Sequence, residues 1–431
     1  MGAPESIHGG LLRFVTAGSV DDGKSTLIGR LLHDSKGLFA DQLDAIESAS
    51  RRRGFGGVDL SLITDGLLSE REQGITIDVA YRYFATPARK FIIGDSPGHL
   101  EYTRNMVTAA STADLAILLV DARSGIVEQT RRHAYLAHWL GVPDLVLAVN
   151  KMDLVDWSQA RFDAIRDEFA ALAGALGFAG HLAIPLSALE GDNVVERGEA
   201  AGWYRGPTLL EHLESVPTAA ARLHASFRMP VQRVVRIAGD NAQAASGFEG
   251  TRFRGYQGTV ASGTLAPGDP VVVVPGAKQA RAKRLIGPSG DLEHALAGDA
   301  VTIELDREID VSRGDLLAAP GLAPSSHRAI EADLCWFDSE PLDPARSYLL
   351  KQGSATVRAR IDAIEHHVDI ERLLPVASDR PFAMNDIGRV RLKLQRPLAV
   401  DAYRDNRELG ALILIDEASN RTVAAGTIRA S

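Results

Sequence analysis

Along the first half of the chain, apolar runs bounded by turn residues recur at 11–18 (LLRFVTAG), 90–95 (KFIIGD), 114–121 (DLAILLVD), 144–150 (DLVLAVN) and 181–187 (HLAIPLS). Between them, segments 24–33, 100–112, 127–140 and 158–176 carry apolar residues at helical spacing. Strands that are apolar on both faces and alternate with helices predict a mostly parallel sheet covered by helices on both sides. Segment 75–86 (ITIDVAYRYFAT) alternates apolar and polar residues instead, which predicts an antiparallel edge strand. After about residue 222 the texture changes to short strands separated by Gly and Pro turns, at 229–237, 256–276, 300–305, 355–361, 388–394 and 411–416. That texture predicts compact β-barrels, with 319–327 (APGLAPSSH) as the linker between two of them. The expected division is 1–222 for an α/β domain, 223–320 for a first barrel and 321–431 for a second.

Length agrees with that division, since 431 residues correspond to about three domains. The single cysteine, Cys335, excludes an intrachain disulfide and a Cys-based zinc site, and its apolar surroundings (LCWF) predict a core position. The longest fully apolar run, 115–120, is far short of a membrane span and reads as a buried strand. The N-terminus has neither a basic region nor an apolar signal segment. A cytoplasmic protein that does not act at a membrane is therefore expected. Met1-Gly2 with Ser6 fits the short myristoylation pattern, but an ordinary start is the expectation.

The net charge is −9, and residues 227–431, with 26 basic and 27 acidic side chains, contribute only −1 of it. Neither half has the basic excess of a protein held by nucleic-acid phosphates, so no nucleic-acid partner is expected. The basic residues are 39 Arg and only 8 Lys, which makes each lysine informative.

Five short motifs converge on one chemistry. The run 18–25 (GSVDDGKS) fits G-x-x-x-x-G-K-[ST] between a predicted strand and a predicted helix, where a phosphate-binding loop belongs. Gly18 and Gly23 would let the backbone N–H groups of Ser19, Val20, Asp21 and Asp22 turn around phosphates, aided by the helix N-terminus. Lys24 would reach the β- and γ-phosphates, Ser25 would bind Mg²⁺, and Thr26 continues the loop into the helix. A glycine turn beside a surface lysine is the bland alternative, disfavoured by the strand-turn-helix setting. Asp95 in 95–98 (DSPG) ends a predicted strand and would act on Mg²⁺ through water, while Gly98 would offer its N–H to the γ-phosphate.

In 150–153 (NKMD), Asp153 can accept hydrogen bonds from guanine N1–H and the 2-amino group, donors that adenine lacks. Asn150 would brace the loop and the stem of Lys151 would cover the ring. In 187–189 (SAL: Ser187, Ala188, Leu189) the Ala188 N–H would face guanine O6. Thr76, in 74–77 (GITI), would complete the Mg²⁺ shell only with a γ-phosphate present, so the polar stretch 35–73 would respond to nucleotide state. His99, beside Gly98, is the candidate for orienting the attacking water, with Val20 and Ile75 flanking it. A Mg²⁺-GTP site is the reading these motifs give together. Two other features attract weaker readings: 365–369 (EHHVD) as a solvated turn rather than a metal site, and 51–53 (RRR) as a solvated helix face.

GSVDDGKST, EREQGITID, DSPGHLEYTRNM, DARSGIVEQTRRH and NKMD resemble the translation-factor GTPases, whose architecture of a GTPase domain and two barrels matches the pattern above. Ser19, Asp22, the run DSPGHLEYTRNMVTAASTADLAILLVDAR and segment 335–361 (CWFDSEPLDPARSYLLKQGSATVRARI) resemble the GTPase subunit of the heterodimeric sulfate adenylyltransferases. That resemblance implies GTP hydrolysis coupled to formation of adenosine 5′-phosphosulfate and pyrophosphate on a catalytic adenylyltransferase partner subunit. The chain contains neither an S-G-G-x-D-S nor an H-x-G-H motif, so adenylyl transfer would occur on another polypeptide. No second phosphate loop follows residue 222, so no fused adenylylsulfate kinase is expected within these residues. The alternatives are an elongation-factor-like carrier of aminoacyl-tRNA and a stand-alone regulatory GTPase. Ser19, the near-neutral barrels and segment 335–361 argue against the carrier.

Overall fold

The computed structural model describes residues 10–35, 50, 60, 79–96, 103–217, 225–238, 252–377 and 380–429. Its contacts divide the chain into two compact units, 1–218 with 369–374, and 219–368 with 375–431.

The first unit is a six-stranded sheet in the order β2-β3-β1-β4-β5-β6. Its strands are β1 (Leu11–Gly18), β2 (Ala80–Ala85), β3 (Lys90–Asp95), β4 (Leu115–Asp121), β5 (Asp144–Asn150) and β6 (Gly180–Pro185). All pairings are parallel except β2 with β3. The helices are α1 (Lys24–Asp34), α2 (Thr103–Ala110), α3 (Glu128–Trp139), α4 (Gln159–Leu176) and α5 (Leu209–Ser215). Every residue of β4 is buried, as its unbroken apolar run requires of a central strand. By contrast, β2 alternates exposed and partly buried positions and forms the antiparallel edge that its alternation predicts. Leu27, Ile28 and Leu31 of α1 pack with Phe14, Phe91, Leu119 and Val146 in one core. Successive strands fall on opposite sides of β1, placing the β3 end on one side and the β4 and β5 ends on the other. The loop that follows β1 therefore opens at the topological switch point, where parallel sheets bind ligands.

In the second unit, two antiparallel sheets share a contact layer formed by Ala261, Val272, Val274, Leu316, Ala318, Ala399 and Leu409. The expected single strand 229–237 is two strands, Arg228–Pro230 and Arg233–Ala238. The chain turns between sheet partners at Val231 and Gln232, next to Pro230, which lacks an N–H for a ladder. Arg228 N–H donates to Ser262 O at 3.0 Å and Arg228 O accepts from Ala261 N–H at 2.8 Å across the sheet edges, which curls this sheet into a barrel. In the second sheet, Ser347–Gln352 pairs with both Ala411–Asp416 and Ala355–Asp369, so its strands close on themselves. Cys335 is fully buried there beside the packed Trp336 and Leu334. The connection after Ala318 is tied down: Ala319 N–H donates to Phe227 O at 3.1 Å, and the Arg228 guanidinium, paired with Asp401 at 3.1 Å, also donates to Leu322 O.

Segment 365–369 is not a solvated turn. It continues the long strand Ala355–Asp369, where a register shift between Ile364 and His366 turns His367 inward. His367 is buried, lies edge-on to Phe382 at 4.5 Å, and places Nε2 at 3.0 Å from Arg380 O. The sixth strand of the first unit also stops two residues early, at Pro185, because Ser187 enters a turn closed by its N–H to Asp192 O and by Gly191 N–H to Ser187 O.

Candidate nucleotide site

The loop between β1 and α1 is shaped by two glycines. A Cβ on Gly18 would lie 2.9 Å from Leu119 O, and one on Gly23 would lie 2.4 Å from Asn150 Nδ2. Gly23 also sits at φ 91° and starts α1, a conformation that costs an L-residue heavily. Within the loop, Asp22 Oδ2 accepts the Ser19 N–H at 2.6 Å, so this carboxylate folds the loop rather than facing outward. Burial pushes the Asp22 carboxyl up, against the Ser19 hydrogen bond and the nearby ammonium of Lys24. Lys24 is buried and donates to Gly18 O at 2.9 Å and Ser19 O at 2.8 Å. Its burial lowers its pKa, while Asp95, Asp22 and Asp21 support its charge. Asp21 and Val20 are exposed at the loop tip, and Ser25 and Thr26 are half-buried in the first turn of α1. Ser19 Oγ is buried with no hydrogen-bond partner.

Asp95 ends β3 almost fully buried and accepts from Thr16 Oγ1 at 3.4 Å. Ser96 Oγ donates to Thr16 O at 2.6 Å, which fixes the strand end beside the phosphate loop. Gly98, His99, Thr76 and Ile75 lie outside the described residues, as do 51–53 and most of 35–73. Among the described residues there is no group of three or more His, Cys, Asp or Glu side chains that could hold a metal. The metal ligands read from the sequence are of a different kind: the hydroxyls of Ser25 and Thr76, and the Asp95 carboxylate acting through water.

At the other end of the site, Asn150 is buried at the end of β5. Its Nδ2 donates to Asp22 O at 2.8 Å and its Oδ1 accepts the Ala188 N–H at 2.9 Å, so one amide joins three loops. This changes the expectation for Ala188, whose N–H is turned to Asn150 rather than left free, because Nδ2 is fixed on the phosphate loop. Lys151 adopts φ 61° and reaches back to Asp21 O and to Asp121 at 3.1 Å. Asp153 Oδ1 is buried and has no hydrogen-bond partner. An unpaired buried carboxylate oxygen is costly, and a ligand presenting N–H donors would relieve that cost. Ser187 is fully buried, while Leu189 is 56% exposed beside it. The sequence reading missed Arg30, which projects from α1 and donates to Ala188 O at 3.1 Å and to Leu189 O, fixing the 187–189 turn. It also gave no role to Asp121, although that residue ends β4 as Asp95 ends β3 and Asn150 ends β5. A polar residue closing an apolar strand at this edge was the signal that could have found it.

The Asp22 carboxyl yields a pH test. Its folded pKa lies above the usual 3.8, so its stabilising contribution is complete below 3.8 and is lost as pH rises through the folded value. Asp22→Asn keeps an acceptor for the Ser19 N–H and removes the desolvated charge. Thermal melts without nucleotide should show the variant more stable at neutral pH, with the difference closing on acidification. A variant less stable at neutral pH, with the deficit closing on acidification, would show instead that the Asp22 charge, through Lys24 and Lys151, holds the loop.

Comparison with known proteins matches residues 10–219 to the elongation factor Tu GTP binding domain and residues 329–429 to the GTP-eEF1A C-terminal domain-like family. Sulfate adenylyltransferase subunit 1 of Tolumonas auensis is 48% identical over 98% of this chain and 87% of its own length. The protein of the same name from Chromobacterium violaceum is 51% identical over 97% of this chain and 86% of its own length. The bifunctional enzyme CysN/CysC of Mycobacterium tuberculosis is 51% identical over 97% of this chain, which spans only 67% of that longer protein. Among the described residues no helix is long and apolar enough to cross a membrane. The chain thus belongs to the sulfate adenylyltransferase subunit 1 family, built on a GTP-binding domain of the elongation factor Tu type followed by β-barrels.

Proposed function

We propose that this chain is the GTP-hydrolysing subunit of a sulfate adenylyltransferase, and that its site at the carboxyl edge of the sheet binds GTP with Mg²⁺. The observation that carries the nucleotide reading is Asp153 Oδ1, buried without a hydrogen-bond partner at the end of the site opposite the phosphate loop. Guanine N1–H and the 2-amino group would satisfy the carboxylate, and an adenine ring could not. The Lys151 stem would lie against the ring, while Ala188 N–H, already given to Asn150, would serve O6 only as a shared donor. The unpartnered Ser19 Oγ and the backbone of 18–25 would face the phosphates, and Lys24 would move its hydrogen bonds from Gly18 O and Ser19 O to phosphate oxygens. Ser25, Thr76 and Asp95 would hold Mg²⁺, which when bound neutralises charge on the β- and γ-phosphates.

In this reading hydrolysis requires positioning rather than a covalent nucleophile. His99, next to Gly98, would orient the attacking water beside the γ-phosphate, and Val20, 43% exposed, would shield that approach. The partner would be a catalytic adenylyltransferase subunit, in a heterodimer or a higher assembly of heterodimers, which forms adenosine 5′-phosphosulfate and pyrophosphate from ATP and sulfate. Identity of 48% to 51% to subunit 1 proteins over nearly the whole chain favours this over a carrier of aminoacyl-tRNA.

Reconstitution with the adenylyltransferase subunit tests the coupling. Pyrophosphate release from ATP and sulfate should rise on adding GTP, and GTP turnover should rise on adding ATP and sulfate. Two rates that ignore each other would overturn the proposal. His99→Ala should slow GTP turnover by about 100-fold with GTP affinity little changed, measured by single-turnover hydrolysis and equilibrium binding. Unchanged turnover would remove His99 from the mechanism.

A further inference from the structure

Asp121 takes no part in the functions proposed above, yet it occupies the centre of a network beside the site. Its carboxylate side chain is only 8% exposed at the end of β4. Arg123 Nε donates to Oδ1 at 3.0 Å, Arg123 Nη2 to Oδ2 at 2.6 Å, and the Arg123 backbone N–H to Oδ1 at 2.9 Å. Lys151 Nζ lies 3.1 Å from Oδ2 and also donates to Asp21 O in the phosphate loop. Behind the turn, Arg161 of α4 donates to Ala122 O at 2.7 Å and to Arg123 O at 2.9 Å. A continuous line of hydrogen bonds runs from α4 through the 121–125 turn to Lys151 and onto the phosphate loop.

The physical consequence falls on Lys151. Lysine is a point charge on a flexible, rotamer-rich stem, so its position across a ligand must be imposed by its surroundings. Asp121 and Asp21 O hold the ammonium at two points, while the left-handed backbone at Lys151 fixes where the stem begins. Arg123 and Lys151 hold the Asp121 carboxyl well below the usual carboxylate range, so the clamp stays charged at any physiological pH.

We infer that Asp121 is a positioning residue that locks Lys151 across the base side of the pocket, so that the Asp121–Arg123 pair governs how long a guanine nucleotide stays bound. This rests on the guanine reading centred on Asp153. A role in fold stability alone would lower the melting temperature without making nucleotide release depend on Lys151. Freeing Lys151 from Asp121 loosens a contact made only in the bound state, so the loss falls mainly on dissociation.

Stopped-flow release of a fluorescent GDP analogue from the full chain tests the inference with Asp121→Asn, Lys151→Ala and the double variant. Asp121→Asn should release the analogue about tenfold faster or more. Lys151→Ala should also release faster, and the double variant no faster than Lys151→Ala. Unchanged release from Asp121→Asn, or an equal further acceleration in the Lys151→Ala background, would overturn the inference. Should Asp121→Asn fail to fold, Arg123→Ala, at a side chain 56% exposed, carries the same test: faster release with Lys151 present and no effect without it. Wild-type preference for GDP over ADP is read in the same assay. Its loss would overturn the Asp153 reading, whereas intact preference with unchanged Asp121→Asn release would overturn only the role of Asp121.

Discussion

One buried amide holds the nucleotide site together. Asn150 donates to Asp22 O and accepts from Ala188 N–H, so the loops after β1, β5 and β6 are fixed to one another by a single side chain. Each of those hydrogen bonds is shielded from water, where leaving either partner unpaired would cost about 1–3 kcal/mol. The constraint propagates to the glycine of the phosphate loop, because the space that a Cβ on Gly23 would need is filled by Asn150 Nδ2. Arg30 of α1 adds to this clamp by donating to the carbonyls of Ala188 and Leu189, so the 187–189 turn is held on both its N–H and its C=O side.

Around this clamp the charges are arranged in opposing pairs. Lys24 is buried among Asp95, Asp22 and Asp21, and Lys151 lies between Asp121 and the phosphate-loop carbonyl of Asp21. In a chain with 39 arginines, both of these positions are lysine. A compact ammonium on a flexible stem can leave a carbonyl for a phosphate oxygen, which a planar guanidinium does less readily. Arginine occupies the scaffolding positions instead: Arg123 on Asp121, Arg161 on the 122–123 carbonyls, Arg30 on the 187–189 turn and Arg228 across the barrels. Lys24 is thus the cation poised to exchange its carbonyl partners for a ligand's oxygens, within a frame of fixed side chains that includes Lys151.

Much of this was legible in the sequence because the signals were local. Apolar runs such as 115–121 announced buried parallel strands, alternation at 80–85 announced the edge, and the described motif residues at 18–25, 95, 150–153 and 187–189 follow or close the strands they were read after. Tertiary effects were not legible. The break at Val231 depends on which strands flank it in the barrel, and the inward turn of His367 depends on a register shift that polar composition hides. In the site, the sequence identified Asn150 and Ala188 but not that they bond to each other, since that contact spans residues 38 apart. Asp22 was read for the backbone N–H it brings to the phosphate cradle; that its carboxylate also folds the cradle was not legible.

The central claim is that the unpaired Asp153 oxygen selects guanine, and the nucleotide affinities of Asp153→Asn test it most directly. An amide there presents a donor where guanine also donates, but it matches the xanthine ring, which carries a carbonyl in place of the 2-amino group. Calorimetric titration should show GTP affinity falling by about 100-fold or more while xanthosine triphosphate gains affinity. Unchanged GTP affinity in a folded Asp153→Asn protein would contradict the claim, since the buried oxygen would then have no part in recognising the base.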